Sequence, residues 1–350
     1  MKVAIGTEIR EGPWGGGNAF ANVLKNFLIN EGHEVTTNLF DDDIDIVLIT
    51  DPRKSAETSS FDKSEVKKYI KYINSECVVF HRINECDERK GTNYINKFYI
   101  EANKVADVTI FVSNWLRLLY EKNGLKRENT YVIKAGADKK IFNRSNIKKY
   151  KNEETLKLVT HHWGTNPNKG FSVYQKIDQI LDKYNEKPFF TFKFIGNLPK
   201  NVNFKNIEVL EPVKHNEIGE ILKNHHLYIT ASLFEPSGNH HVEAMQCGLP
   251  VLYINSGGTT EYCKDFGIEY NEANLEEKIR YAKENYDLYF NKLIDHQYDS
   301  ETMCKNYLEL FTECAKNKKL YIKSSSGNIY LSKFYKVILR IRKFIYENFK

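Results

Sequence analysis

The chain has 350 residues, 41% hydrophobic and 28% charged, which is ample for two globular cores and unlike a disordered or fibrous protein. Its net charge of +5 is localised: residues 318–350 hold nine Lys or Arg against one acid, Glu347, a balance of +8, so residues 1–317 carry −3. A mildly acidic body argues against a nucleic-acid partner, which calls for basic charge across the working face, and no apolar run of about 18 residues offers a spanning helix. The six cysteines are scattered with no CxxC pair, so a disulfide framework or zinc site is not expected, and reduced thiols in a cytoplasmic protein fit better. The opening "MKVAIGTEIR" begins directly with a strand-like run, which argues against a secretory signal peptide.

Strand-like and helical runs alternate from the start: "KVAIGT", "AFANVLKNFLINEG", "EVTTNLF", "IDIVLIT", then "CVVFHRI", "YINKFYIEANKVA", "DVTIFVS", "NWLRLLYEKNG" and "TYVIKAG". This alternation with short connections predicts a parallel sheet wrapped by helices. A polar stretch over 138–157 reads as a linker, after which the alternation restarts with "LKLVTHH" and runs to "PVLYINS". A second α/β domain is expected over 154–290, following a first over 1–153. Two such domains leave a cleft between the carboxyl ends of their strands, where open α/β sheets bind ligands.

The candidate motifs fall at strand-to-helix turns. "EGPWGGGNAF" (11–20) places Gly15 and Gly16 before a helix, so that backbone N–H groups can approach a phosphate; Phe20 stands where a dinucleotide fingerprint needs a third small residue. "CVVFHRINECDERKGT" (77–92) sets His81 and Arg82 at a strand end, expected to point into the cleft, with Asn84 behind them. "DDDIDIVLIT" (41–50) contains Asp-x-Asp, but ahead of its strand, and reads as a solvated acidic turn without a metal. "THHWGTNPNKGF" (160–171) carries Lys169 before a glycine and a helix, able to reach a phosphate, with His161 and His162 beside the same turn. The densest stretch is "LFEPSGNHHVEAMQCGLPVLYINSGGTTEY" (233–262). There Glu235 is expected at a strand end and Glu243 one turn into a helix, both able to accept from sugar or ribose hydroxyls. Backbone N–H groups of Ser237, Gly238 and Asn239 open that helix, and Gly257-Gly258 repeats the device one strand later.

These residues resemble the family-4 retaining glycosyltransferases of the GT-B fold, glycosyl transferases group 1, over about residues 1–315. The resemblance rests on the glycine loop, the Lys-Gly pair, "EPSGNHHVEAMQCGLPV" and "SGGTTEY", with "ANVLKNFLINEGHEV" and "VSNWLRLLYEKNGLKRENTYVIKAGADKKIF" in support. It implies two Rossmann-like domains, the first completed by a helix returning near 300–317. It also implies that Glu243 holds the ribose, Glu235 the donor sugar and Lys169 the diphosphate, that Gly15 and Gly16 approach the phosphates, and that His81 contacts the transferred sugar. His81 and Glu235 would be the catalytic pair. The donor would be a nucleoside diphosphate sugar, UDP- ahead of GDP-, with no cofactor and no metal. The family's arginine before that lysine is replaced here by "HHWG". A histidine, an arginine reaching across such as Arg82 or Arg10, or a weaker grip are the alternatives.

"IYLSKFYKVILRIRKFIYENFK" (329–350) reads as an amphipathic helix. Leu331, Phe334, Ile338, Ile341, Ile345 and Phe349 lie on one face and Lys333, Lys336, Arg340 and Lys343 on the other. It is expected to lie on an anionic membrane surface, serving a lipid-linked glycan acceptor from the cytoplasmic side, with docking on the first domain as the alternative. Other readings are an epimerase or phosphorylase on the same fold, a sugar-nucleotide-binding protein without activity, and an NAD-dependent oxidoreductase using the glycine loop with Asp41 on the ribose.

Overall fold

The computed structural model describes residues 1–10, 15–152, 154–322 and 329–349. The first sheet is parallel, with strands β1 (Lys2–Ile5), β2 (Glu34–Thr36), β3 (Ile46–Ile49), β4 (Val78–Ile83), β5 (Val108–Phe111) and β6 (Thr130–Val132) in the order β2-β1-β3-β4-β5-β6. Helices α1 (Gly16–Asn30), α2 (Lys63–Tyr72), α3 (Asp87–Lys90), α4 (Ile95–Asn103) and α5 (Asn114–Lys122) cover it. Every residue of β3 and β4 is buried, as a sheet covered on both faces requires.

The second sheet repeats the plan. Its strands are β7 (Leu156–His162), β8 (Phe190–Gly196), β9 (Glu208–Leu210), β10 (Leu227–Thr230), β11 (Val251–Ile254) and β12 (Gly267–Tyr270), in the order β12-β11-β10-β7-β8-β9. Around them lie α6 (Phe171–Lys183), α7 (His215–Lys223), α8 (Asn239–Gln246), α9 (Thr259–Cys263), α10 (Leu275–Glu284) and α11 (Tyr286–Lys292). In each sheet the strand order reverses once, between β1 and β3 and between β7 and β10, and the turns leaving those strands face the cleft.

The chain crosses between domains twice, side by side: Ala137 N donates to Tyr298 O (3.1 Å) and Ser300 N to Ala137 O (2.8 Å). After the return, α12 (Ser300–Lys316), started by the Asp299 side chain on Thr302 N, packs Met303, Cys304, Tyr307 and Phe311 into the first sheet's core beside Phe20 and Leu24. Each such buried side chain contributes about 1.5–3 kcal/mol, enough to hold the helix on the first domain.

A short α13 (Lys318–Tyr321) leads to the tail helix α14 (Ile329–Phe349). The tail does dock on the first domain, against α2, and does so with a third face that the two-sided sequence pattern did not single out. Tyr335 stacks on Tyr72 (4.5 Å), Ser332 Oγ donates to Tyr72 O (2.8 Å), and Leu339 is buried. Lys343 and Lys336 meet Asp41 and Asp42, which explains the acidic turn before β3. Phe334, Val337, Ile341, Phe344 and Ile345 remain exposed. The side chain of Phe349 lies outside the described residues.

Candidate functional site

Between the domains lies a cavity of about 370 Å³, with Gly15 to Gly17, Arg82, Asn84, Glu85 and Arg89 on one wall. On the other are His161, His162, Lys169, Glu235 to Asn239 and Glu243. A second cavity of about 370 Å³ adjoins it and shares Arg82, His215, Asn239 and Glu243, with α1 and the crossing segment 135–142 as its other wall.

Glu235 follows β10 on a turn whose preceding residue, Phe234, has a left-handed backbone (φ 54). That conformation is costly for a residue with a Cβ and persists where the surroundings impose it. Here Phe234 N is tied to Ser256 Oγ (2.9 Å), and Gly258 N donates to Glu235 O (2.7 Å). The carboxylate is buried and takes an ion pair on each oxygen, Lys169 Nζ on Oε1 and Arg89 Nε on Oε2 (3.0 Å). Burial alone pushes its pKa up, and the charges of Lys169 and Arg89 more than offset this, holding the carboxyl well below its usual range. Arg89 also donates to Glu85 (3.0 and 3.1 Å). Lys169 ends a 3₁₀ turn, Pro167–Lys169, which the Asn166 side chain starts by accepting from Asn168 N.

Glu243 lies in the first turns of α8, where its Oε2 meets His161 Nε2 at 2.7 Å. His161 thus occupies the carboxylate assigned to the ribose. His162 packs among Phe171, Tyr174 and Phe194 with Nδ1 on Gly164 O (3.2 Å). Burial, with the Lys169 charge, brings its pKa down to about 3, so it is neutral. Gly16 abuts the opposite domain so closely that a Cβ there would lie 2.6 Å from Asn239 Nδ2. Residues 11–14 of the glycine loop lie outside the described residues.

The expectations for His81, for Gly257-Gly258 and for Arg10 change. His81 does not reach the cleft: it is fully buried, Nδ1 receives Asn103 Nδ2 (3.1 Å), its ring lies on Tyr99, and burial brings its pKa down to about 3. Strand alternation is the reason, because in β4 only every second side chain faces the layer of α1 and α12. Arg82, one residue on, does face it, with its guanidinium 4.0 Å over the Phe20 ring and its place on both cavity walls.

Gly257 and Gly258 do not line either cavity. They pack behind the Glu235 turn, where a Cβ on Gly257 would meet the Glu235 backbone (2.6 Å) and one on Gly258 the Pro236 carbonyl (2.2 Å). Glu261, the third carboxylate of that stretch, reaches the other domain instead of the cavity. It accepts from Asn114 N (2.9 Å) and Trp115 N at the start of α5. Sequence reasoning passed over Arg89 and Glu85, although both stand in the quoted "NECDERKGT". Arg10, offered as a cation reaching across, pairs with Glu57 (2.6 Å).

Residues 174–295 match the family model of the glycosyl transferases group 1. A curated relative, the phosphatidylinositol N-acetylglucosaminyltransferase gpi3 subunit of Schizosaccharomyces pombe, is 29% identical over 86 residues, which is 22% of this chain and only 19% of that protein's length. Among solved structures, Anabaena HepE in complex with UDP and glucose aligns with a TM-score of 0.64 at 15% identity, covering 89% of this chain and 100% of that one. Sucrose-phosphate synthase from Thermosynechococcus elongatus aligns at 0.62 and 12% identity, covering 90% and 99%. The fold is therefore GT-B, two Rossmann-like domains facing across a cleft.

Proposed function

We propose that this chain, which carries a glycosyl transferases group 1 segment on a GT-B fold, moves a sugar from a nucleoside diphosphate sugar to a glycan acceptor, retaining the anomeric configuration. One observation carries the reading: Glu235, Glu243 and Lys169 converge in a single cavity opposite Gly15 to Gly17, with the N-terminus of α8 opening between them. UDP is the favoured nucleotide, which the structural likeness to a UDP complex supports.

In this reading the ribose diol replaces His161 on Glu243, and sugar hydroxyls donate to Glu235. The acceptor hydroxyl attacks the anomeric carbon from the face the diphosphate leaves. The glycosidic C–O bond forms as the sugar–phosphate bond breaks, and the departing phosphate oxygen takes the hydroxyl proton. Lys169 and the backbone N–H groups of Ser237, Gly238 and Asn239 meet the charge that develops on the diphosphate. Such fixed positive charge at the leaving group calls for no metal ion. Catalytic work then falls on Glu235 and Lys169, with His81 supporting β4 from behind.

The acceptor is proposed to be lipid-linked, presented at the cytoplasmic face of a membrane. No helix among the described residues is long and apolar enough to cross one. The exposed stripe of Phe334, Ile341, Phe344 and Ile345 on α14, flanked by the exposed Lys333 and Arg340, suits the surface of anionic lipid while the opposite face stays docked.

Two observations weigh against the oxidoreductase reading. Phe20 is buried against Tyr307 and fills the space a dinucleotide fingerprint keeps small, and Asp41 pairs with Lys343 before β3, away from the strands' carboxyl ends. Thermal stabilisation by UDP, GDP and NAD on wild type and Glu243→Ala tests the proposal. A shift with UDP or GDP that the variant loses is the expected result. A shift with NAD alone, or none, refutes it, and a turnover assay with the bound nucleotide's sugar separates an enzyme from a binding protein.

A further inference from the structure

The cleft cavity is lined by three cations, Arg82, Arg89 and Lys169, and three carboxylates, Glu85, Glu235 and Glu243. Arg89 differs from the other two in belonging to the first domain while its side chain ends on a carboxylate of the second. Its backbone is strapped across the cleft as well. Asn168 Nδ2 donates to the carbonyls of Glu88 (2.9 Å) and Arg89 (3.1 Å), and Asn166 Nδ2 to that of Lys90 (3.1 Å). Both asparagines belong to the turn that carries Lys169. One short turn therefore brings an ammonium from one domain and a guanidinium from the other onto the two oxygens of a single carboxylate.

We propose that Arg89 is the second cation for the donor diphosphate, reached from the first domain, and that Glu235 and the diphosphate compete for Arg89 and Lys169. The inference rests on the transferase reading. Glu235 offers a single negative charge to the two cations, whereas a diphosphate offers more charge and several oxygens in the geometry a guanidinium fork prefers. When the diphosphate takes the two cations, Glu235 is released to accept the sugar hydroxyls. Phosphate binding, readiness of the sugar subsite and closure of the first domain onto the second become one event. Glu85, which shares Arg89 with Glu235, sets how firmly the guanidinium is held away from the phosphates. Arg10 pairs with Glu57 and lines the adjoining cavity, whereas Arg89 stands in the cavity that bears Lys169.

The test is an NMR or calorimetric titration of wild type, Arg89→Gln and Glu85→Gln with UDP and GDP and with the matching nucleosides, uridine and guanosine. Arg89→Gln is expected to weaken the bound nucleoside diphosphate about tenfold or more, the loss of one charge-assisted bidentate contact, with the nucleoside unchanged. Glu85→Gln, which frees Arg89 from its other carboxylate, is expected to tighten the diphosphate several-fold, a gain that mere damage to the fold does not produce. Equal diphosphate affinity in Arg89→Gln and wild type overturns the inference, as does a parallel loss of nucleoside binding. Failure of wild type to bind either diphosphate removes the transferase reading itself, which the variant results alone do not touch.

Discussion

Glu261→Ala should destabilise the protein although Glu261 lines neither cavity. Its carboxylate accepts from the backbone N–H groups of Asn114 and Trp115 at the start of α5, so a side chain of the second domain caps a helix of the first. Ser113 Oγ covers only the Leu116 N–H (3.2 Å). Each charged hydrogen bond contributes about 1.5–3 kcal/mol net, but the one to Asn114 is exposed and water can replace it. The expected loss is therefore about 1–3 kcal/mol for Glu261→Ala, and about half that for Glu261→Gln, whose single carbonyl oxygen keeps one bond. Neighbouring contacts survive in both variants: Tyr262 OH still donates to Val112 O (2.6 Å) and accepts from Ala135 N (2.9 Å). The domains should accordingly loosen without separating. Urea denaturation followed by circular dichroism and by tryptophan fluorescence, to which Trp115 contributes beside the lost bond, reads the effect. An unfolding free energy in water within about 0.3 kcal/mol of wild type refutes the capping argument, and so does a Gln variant no more stable than Ala.

Gly170→Ala should be among the most damaging small substitutions. Its φ is +75, and a Cβ would lie 2.2 Å from Ala231 O, so a loss of at least about 2 kcal/mol is expected in chemical denaturation. Acid should destabilise through buried neutral histidines. His81, with a folded pKa near 3 against 6.5 unfolded, supports the fold fully above pH 6.5 and progressively less as pH falls to 3, a cost of about 2 kcal/mol at pH 5. Thermal melts of wild type from pH 7.5 to 5 should show a decline that is shallower in a His81→Gln variant. On α14, the double substitution Ile341→Glu, Phe344→Glu should leave the melting temperature nearly unchanged, because both side chains are exposed, and abolish cosedimentation with vesicles of anionic lipid. Leu339→Ala, at the buried docking face, should instead expose the tail to limited proteolysis at intact vesicle binding.

How far these features could be read from sequence depends on the range over which each is decided. Strand and helix alternation is local, and the buried Val and Ile runs of β3 and β4 declare a two-sided sheet on their own. The second-domain turns were legible for the same reason, since Glu235, Ser237 to Asn239 and Glu243 follow one another within a single strand–turn–helix unit. His81 fails at the next level. Whether residue 81 or 82 faces the cleft is a matter of strand parity, and "FHRI" offers a polar residue to each face. The docked face of α14 was missed because its helical pattern shows the apolar stripe and the basic stripe, while Ser332, Tyr335 and Leu339 acquire meaning only beside Tyr72 and α2. Glu261 and Arg89 lie furthest from sequence reach. Each belongs by chain position to one domain and by contact to the other, 147 and 146 residues away. Nothing within either segment distinguishes such a residue from a solvated charge, because its partner is fixed by how the two cores close on each other. The residues that join the domains are therefore the ones a reading of one domain at a time leaves out. Arg89, the one of the two that lines the cleft, is on the proposal above also the residue through which a bound diphosphate would act on both sheets.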